Sequence, residues 1–354
     1  MNTSTNKRRP IFWVFFGIFA LLFLALLELN KNTVFGWILA ILLLAGYAVF
    51  YARTLSKKSG LLRFAGFLAL MLVLALLLFR LTVGPVKRHP AVEGKTGGVT
   101  DVVTVRDGQL TGVLTDDQAV EVYAGIPYAA PPVGDLRWRE PQDPEPWDGV
   151  LQADTFAPMA MQPQKSPIYN SLAQIVGYHD YEMSLDDHFR EAISEDALYL
   201  NIWKPAGEQR DLPVLVFIHG GALQTGQPWY ADYSGEGLAR KGVIVVNMGY
   251  RLGVFGFLAT DELAAESPNG TTGNYGLLDQ IKALEWVRDN IAAFGGDPDN
   301  VTVAGESAGS ACVSALCTSP LAKGLFRRAI GESSTVSAPI PAHSFRLLDE
   351  AKKT

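Results

Sequence analysis

Cysteine is scarce. Two occur in 354 residues, Cys312 and Cys317, so a disulfide-built scaffold is excluded. They stand five apart in a segment read below as one helix. Five steps of about 100° put them on different faces, which makes a poor disulfide pair. Both read as small buried hydrophobes, and they say nothing of redox compartment. Charge is thin as well, 19% of residues against 48% hydrophobic. That balance excludes disorder and collagen. Acids are nearly missing from the first 90 positions, where Glu28 stands alone against 11 Lys and Arg. The segment therefore carries +10, and a whole-chain charge of −6 leaves −16 for residues 91–354. So acidic a body is a poor partner for phosphate backbones, and nucleic acid is not expected. No H-E-x-x-H and no clustered Cys/His is present, so no metal or other cofactor is expected.

What the N-terminal part does have is long apolar runs. Residues 11–29, 33–52 and 61–83 each approach the roughly 20 residues that cross a bilayer as a helix. The third is the short one unless Arg63 and Arg80 snorkel. Lys7, Arg8 and Arg9 precede the first run, and Arg53, Lys57, Lys58 and Arg63 separate the second from the third. The positive-inside rule then expects a multi-pass cell-membrane anchor, residues 1–83, with its N-terminus in the cytoplasm and everything after about residue 84 outside it. Residues 84–99, rich in Gly, Pro, Thr and Lys, read as a linker.

From residue 100 the pattern changes. Leu212–Ile218, Val243–Val246 and Val301–Ala304 are continuous apolar runs, which suit strands buried on both faces of a parallel sheet. Leu277–Phe294 between the last two is apolar at helical spacing. Strand, helix and strand make a βαβ unit, and the class is α/β. Gly305-Glu306-Ser307-Ala308-Gly309 follows directly on a strand and opens a helix. G-x-S-x-G is weak alone, but this context is the strained strand-turn-helix that exposes a serine hydroxyl. A nucleophilic serine needs donors for the oxyanion that forms. His219-Gly220-Gly221-Ala222 ends the Leu212–Ile218 strand, and the N–H groups of Gly220, Gly221 and Ala308 are the candidates. The His219 imidazole is read as tying down its own loop rather than as a base.

These stretches resemble the type-B carboxylesterases, the carboxylesterase/cholinesterase-like family, from Thr100 to about Ser334. The resemblance rests on Gly125–Tyr128 with Pro131–Gly134, Ser194–Trp203, His219–Ala222, Tyr250–Leu258, Asn274–Gln280, Ala292–Pro298 and Gly305–Gly309. It implies an α/β-hydrolase fold with a mostly parallel sheet, and hydrolysis of small-molecule carboxylic esters through an acyl-enzyme on Ser307. It assigns the oxyanion hole to Gly220, Gly221 and Ala308. It also implies a structural ion pair between Glu195 and an arginine of Arg137-Trp138-Arg139. Where the family often has cysteine, Ala197 stands.

The family's acid and histidine lie beyond the matched stretch, so residues 100–354 are expected to be a partial domain, unstable and inactive without more chain. A serine without a base is a weak nucleophile. Glu332 and His343 have the right order for a substitute pair. The alternatives to an ester hydrolase are an inactive fragment and a non-catalytic, cholinesterase-like binding domain. Asn269 and Asn300 match the N-glycosylation pattern, the second against a strand.

Overall fold

The structure is a computed structural model that describes residues 8–94, 96–163, 190–334 and 348–352. Contacts divide the chain into two units. One holds the chain to Lys87 together with the segment that ends at Glu191, and the other holds Arg88–Pro163 and the chain from Ala192 on.

The first unit has three helices, α1 (Arg8–Leu29), α2 (Val34–Arg53) and α3 (Gly60–Leu81), one for each apolar run. Thr33 caps α2, its hydroxyl accepting from the Gly36 N–H at 3.3 Å, and Ser59 caps α3 in the same way. The α1–α2 turn is tied to the end of α3. The Asn32 amide donates to the Leu78 carbonyl and, at 2.7 Å, to the Thr82 hydroxyl. Phe23, Leu27, Ala40, Leu44, Leu70, Leu74 and Leu78 are buried between the helices. The outward side is apolar too, with Phe15, Leu21, Phe35, Leu42 and Leu61 exposed. Helices apolar all round belong in lipid or inside a larger core. Two stretches, Val34–Lys57 and Gly60–Leu78, are long and apolar enough to cross a membrane, and the described apolar stretch of α1, Phe12–Glu28, is shorter. The three helices themselves run to 22, 20 and 22 residues, so the third is not the short one. Arg63 falls in the first turn of α3 and leaves the stretch after it unbroken.

The second unit is built on a sheet of eight strands: β1 (Gly98–Val99), β2 (Val113–Leu114), β3 (Val120–Pro127), β4 (Tyr199–Pro205), β5 (Leu212–Ile218), β6 (Ile244–Met248), β7 (Gly296–Glu306) and β8 (Arg328–Glu332). Their spatial order is β8-β7-β5-β6-β4-β3-β2-β1. The α/β class holds, but the sheet is mixed rather than mostly parallel. Pairings from β8 to β6 are parallel, and those from β6 through β4, β3 and β2 to β1 are antiparallel. The reason is visible in the residues. Val120–Pro127 (VEVYAGIP) and Tyr199–Pro205 (YLNIWKP) interleave polar and apolar side chains, so they do not stand out as apolar runs. The βαβ unit is also wider than a neighbouring pair. From β6 the chain runs through α4 (Tyr275–Asn290) to β7, which lies on the far side of β5. Gly98–Val99, within the expected linker, is one of the sheet's two edge strands.

Alternate residues of each strand face opposite layers. Leu200, Ile202, Val214, Val216, Val246 and Val303 join the core with Leu284, Trp286 and Val287 of α4 and with Cys312 and Val313 of the helix after β7. Val122, Trp203 and Val245 pack on the other side with Phe156 and Ala239. Burying such side chains is worth roughly 1.5–3 kcal/mol each, which fixes the register of the central strands.

Candidate active site

β5 and β7 lie side by side, with Ile218 opposite Gly305, so the segments leaving their C-terminal ends meet. β7 ends at Glu306, and α5 (Ala308–Thr318) begins two residues later. Ser307 makes the turn with φ 52° and ψ −121°. For a residue with a Cβ, such a conformation costs on the order of 1–3 kcal/mol and persists only where its surroundings enforce it. They do. The Ser307 N–H donates to the Glu332 carbonyl at 2.8 Å, and its own carbonyl accepts the first helical bond, from Ala311, at 3.1 Å. A Cβ on Gly305 would stand 2.5 Å from the Gly309 backbone, and one on Gly309 would strike the Ile218 carbonyl. These two glycines let α5 lie directly against β5 and β7.

The other wall is the loop after β5. A Cβ on Gly220 would stand 2.8 Å from the Glu306 carbonyl and 3.0 Å from the Ser307 Cβ, so its backbone is packed on the serine. The loop then turns left-handed, with φ of 110° at Gly221, 56° at Ala222 and 60° at Leu223. For Ala and Leu that costs roughly 1–2 kcal/mol each. The Gly221 carbonyl accepts from the N–H groups of Gln224 and Thr225, both at 3.0 Å. Among the described residues, the N–H groups of Gly220, Gly221 and Ala308 donate to no acceptor.

His219 is almost wholly buried, and its Nδ1 is 2.8 Å from the Gly220 carbonyl, to which the neutral ring donates. It stacks on Tyr250, whose hydroxyl donates to the His219 carbonyl at 2.8 Å. Burial lowers its pKa to about 4, so the imidazole is neutral at pH 7. It is committed to its own loop. Glu306, which precedes Ser307 and also packs against Gly220, has its pKa raised, first by burial and then by the charge of Glu332. Glu332 closes β8 opposite Glu306, and it touches the serine through its backbone. His343 lies outside the described residues.

Other expected residues find partners. Arg137 is the arginine that meets Glu195, with Nε–Oε2 at 2.5 Å and Nη2–Oε1 at 2.6 Å. Arg251 and Asp279 join two of the motif stretches through a buried bidentate pair, with Nε–Oδ2 at 2.9 Å and Nη2–Oδ1 at 2.7 Å. Sequence reasoning missed this pair because nothing in the spacing of two helix-and-loop segments announces it. Both cysteines are free. Cys312 is buried, its thiol raised to about 11 by burial, but Cys317 is exposed, contrary to expectation, because it stands on the outer face of α5. Asn269 is exposed, its amide donating to Glu140 at 2.8 Å, and Asn300 lies within β7 and accepts from Arg328 at 2.6 Å. Among the described residues no group of three or more His, Cys, Asp or Glu could hold a metal ion.

Comparison with known proteins bears on the family. The Fumonisin B1 esterase of Sphingopyxis macrogoltabida is 44% identical over 237 residues, which are 66% of this chain and 40% of that protein. The Para-nitrobenzyl esterase of Bacillus subtilis (strain 168) is 44% identical over 233 residues, 66% of this chain and 43% of that one. The crystal structure of the Geobacillus stearothermophilus carboxylesterase EST55 superposes with a TM-score of 0.58 at 42% identity, covering 71% of this chain and 46% of that one. The chain spans about two-fifths of the length of the curated relatives it matches. The model of the carboxylesterase family matches residues 99–352, which takes in every strand of the sheet but the first residue of β1. With the serine turn, the glycine loop and an α/β-hydrolase sheet all inside that match, the chain belongs to the carboxylesterase family.

Proposed function

We propose that this chain carries the nucleophile and oxyanion hole of a carboxylic ester hydrolase. The observation that carries the reading is Ser307, strained at the strand-helix turn, with the backbone of Gly220 packed on it and the N–H groups of Gly220, Gly221 and Ala308 undonated among the described residues. The Ser307 Oγ adds to the ester carbonyl carbon and its proton passes to a base. The tetrahedral oxyanion is held by the N–H groups of Gly220, Gly221 and Ala308, of which each such donor is worth about 10²–10³ in rate. Collapse expels the alcohol and leaves an acyl-enzyme, which water hydrolyses. Esters are substrates of the relatives by their names, and small carboxylic esters are the class proposed here. The base is not His219, whose ring is buried and bound to Gly220. Glu332 and His343 are the pair that chain order offers, and that role stays with the proposal.

The second reading is a binding domain without chemistry. Such a domain has no use for a strained serine, and the strain at residue 307 favours the hydrolase. A fluorophosphonate probe tests the choice, in detergent micelles, on a version of the protein with a complete triad. Label should appear on Ser307 and vanish in Ser307→Ala. Hydrolysis of a p-nitrophenyl ester should fall with it, because losing a serine nucleophile costs about 10⁶ in kcat. Label elsewhere, or residual turnover above about one per cent of the parent, removes Ser307 from the role.

A further inference from the structure

We infer that Gln162 is a positioning residue for the oxyanion loop, an inference that rests on the hydrolase reading above. The loop from Gly220 to Gly226 has four residues in the left-handed region, with φ of 110° at Gly221, 56° at Ala222, 60° at Leu223 and 119° at Gly226. Two of them, Ala222 and Leu223, carry a Cβ, and such a backbone relaxes unless neighbours hold it at several points. Its start is held by β5 and by the His219 ring on the Gly220 carbonyl. Its middle is held where the Leu223 carbonyl accepts from the Gly253 N–H at 2.6 Å.

Its end is held by a side chain 64 residues earlier in the sequence. The Gln162 amide donates from Nε2 to the Gly226 carbonyl at 2.7 Å and accepts at Oε1 from the Gly226 N–H at 2.8 Å. A primary amide matches both groups of one residue's backbone, as a neighbouring strand would, and no other half-buried side chain of that length supplies donor and acceptor together without charge. Gln162 is itself steadied, its Nε2 also donating to the Ala160 carbonyl at 3.1 Å. Ala160 in turn sits in a parallel ladder opposite Ser194.

The consequence is directional. Ala222 and Leu223 lie between the two anchored ends. If Gly226 is released, the Gly253 bond to the Leu223 carbonyl is left alone, among the bonds from outside the loop, to resist their return to negative φ. That rotation turns the peptide planes next to Gly221 and re-aims its N–H, one of the donors assigned to the oxyanion hole. Donors in such a hole must be held to about 0.5 Å, and a displacement of about 1 Å costs on the order of 10²-fold. The bonds of Gln162 go to Ala160 and Gly226 and not to Ser307, so the effect is expected in the labelling rate more than in probe binding.

The test compares the full chain with Gln162→Ala and Gln162→Glu in detergent micelles. The isosteric glutamate keeps the acceptor for the Gly226 N–H but sets a carboxylate against the Gly226 carbonyl. Three quantities are read: phosphonylation of Ser307 by a fluorophosphonate, amide hydrogen exchange of the peptide 219–226, and the thermal midpoint. Both variants should exchange the loop amides about tenfold faster while β5, β6 and β7 keep their protection. The saturating labelling rate should fall about 10–100-fold, and the half-saturating probe concentration should move by less than about twofold. Unchanged loop exchange overturns the inference. So does exchange that rises equally across the central strands, or a labelling defect that lies wholly in the half-saturating concentration. If one variant does not fold, the other decides. If the parent itself is not labelled at Ser307, the hydrolase reading fails and the catalytic part of this inference with it, and the exchange data alone decide whether Gln162 holds the loop.

Discussion

At the scale of single residues, His219 shows how a side chain next to the chemistry can be unsuited to it. A ring sealed from water, stacked on Tyr250 and bound to Gly220, holds its neutral form far below the usual imidazole range, at about 4. This ties stability to pH. In the unfolded chain the ring takes a proton below about pH 6.5, and in the folded chain only below about pH 4. The folded state therefore binds fewer protons in that window, and stability, complete above about pH 6.5, is lost as pH falls toward 4. At 1.36 kcal/mol per unit the loss approaches about 3 kcal/mol, or about 6–12 °C in thermal midpoint for a domain of this size. Thermal unfolding at pH 7, 5.5 and 4.5 checks it, with His219→Gln expected to flatten the slope. An equal slope in both proteins would assign the acid sensitivity to other groups.

At the scale of elements, the unit that matters is β7, its turn and α5. Gly309 is where α5 meets β5, and a methyl group there would strike the Ile218 carbonyl. Gly309→Ala should push the helix off the sheet. Overpacking of this kind costs about 1–3 kcal/mol, and labelling of Ser307 should fall at least about tenfold with the displaced Ala308 N–H. A variant with parent midpoint and parent labelling would show that α5 has room the geometry denies. These elements were the ones legible in the sequence. Val301–Ala304, the G-x-S-x-G turn and the helix after it show a switch from strand to helix periodicity around glycines that only close packing explains. Leu212–Ile218 and the glycines after it were legible for the same reason. The antiparallel half of the sheet was not, because β3 and β4 alternate polar and apolar residues and pair across a long stretch of chain. Gln162 was not either. A lone glutamine has no periodic signature, and its partner is a backbone group in another segment.

At the scale of the whole molecule, the charge divides as the architecture does, +10 over the first 90 residues and −16 after them. The proposal is that the helices anchor the chain with its N-terminus in the cytoplasm and the carboxylesterase unit on the other side. Reporter fusions at about residues 58 and 95 check it: a reporter active only outside the cytoplasm should be silent at the first and active at the second. The reverse result, or silence at both, would leave the second unit inside. The β3–β4 pairing has a further consequence, for synthesis. β3 ends at Pro127, and β4, its only long partner among the described strands, begins at Tyr199, 72 positions later. At about 5–20 residues per second, β3 waits roughly 4–14 s on the ribosome before the strand that covers its edge is made. Val120, Val122, Ala124 and Ile126, all buried in the folded chain, are unprotected for that time. Ribosome-bound chains stopped inside this interval are where a chaperone would find the longest exposed strand of the nascent domain.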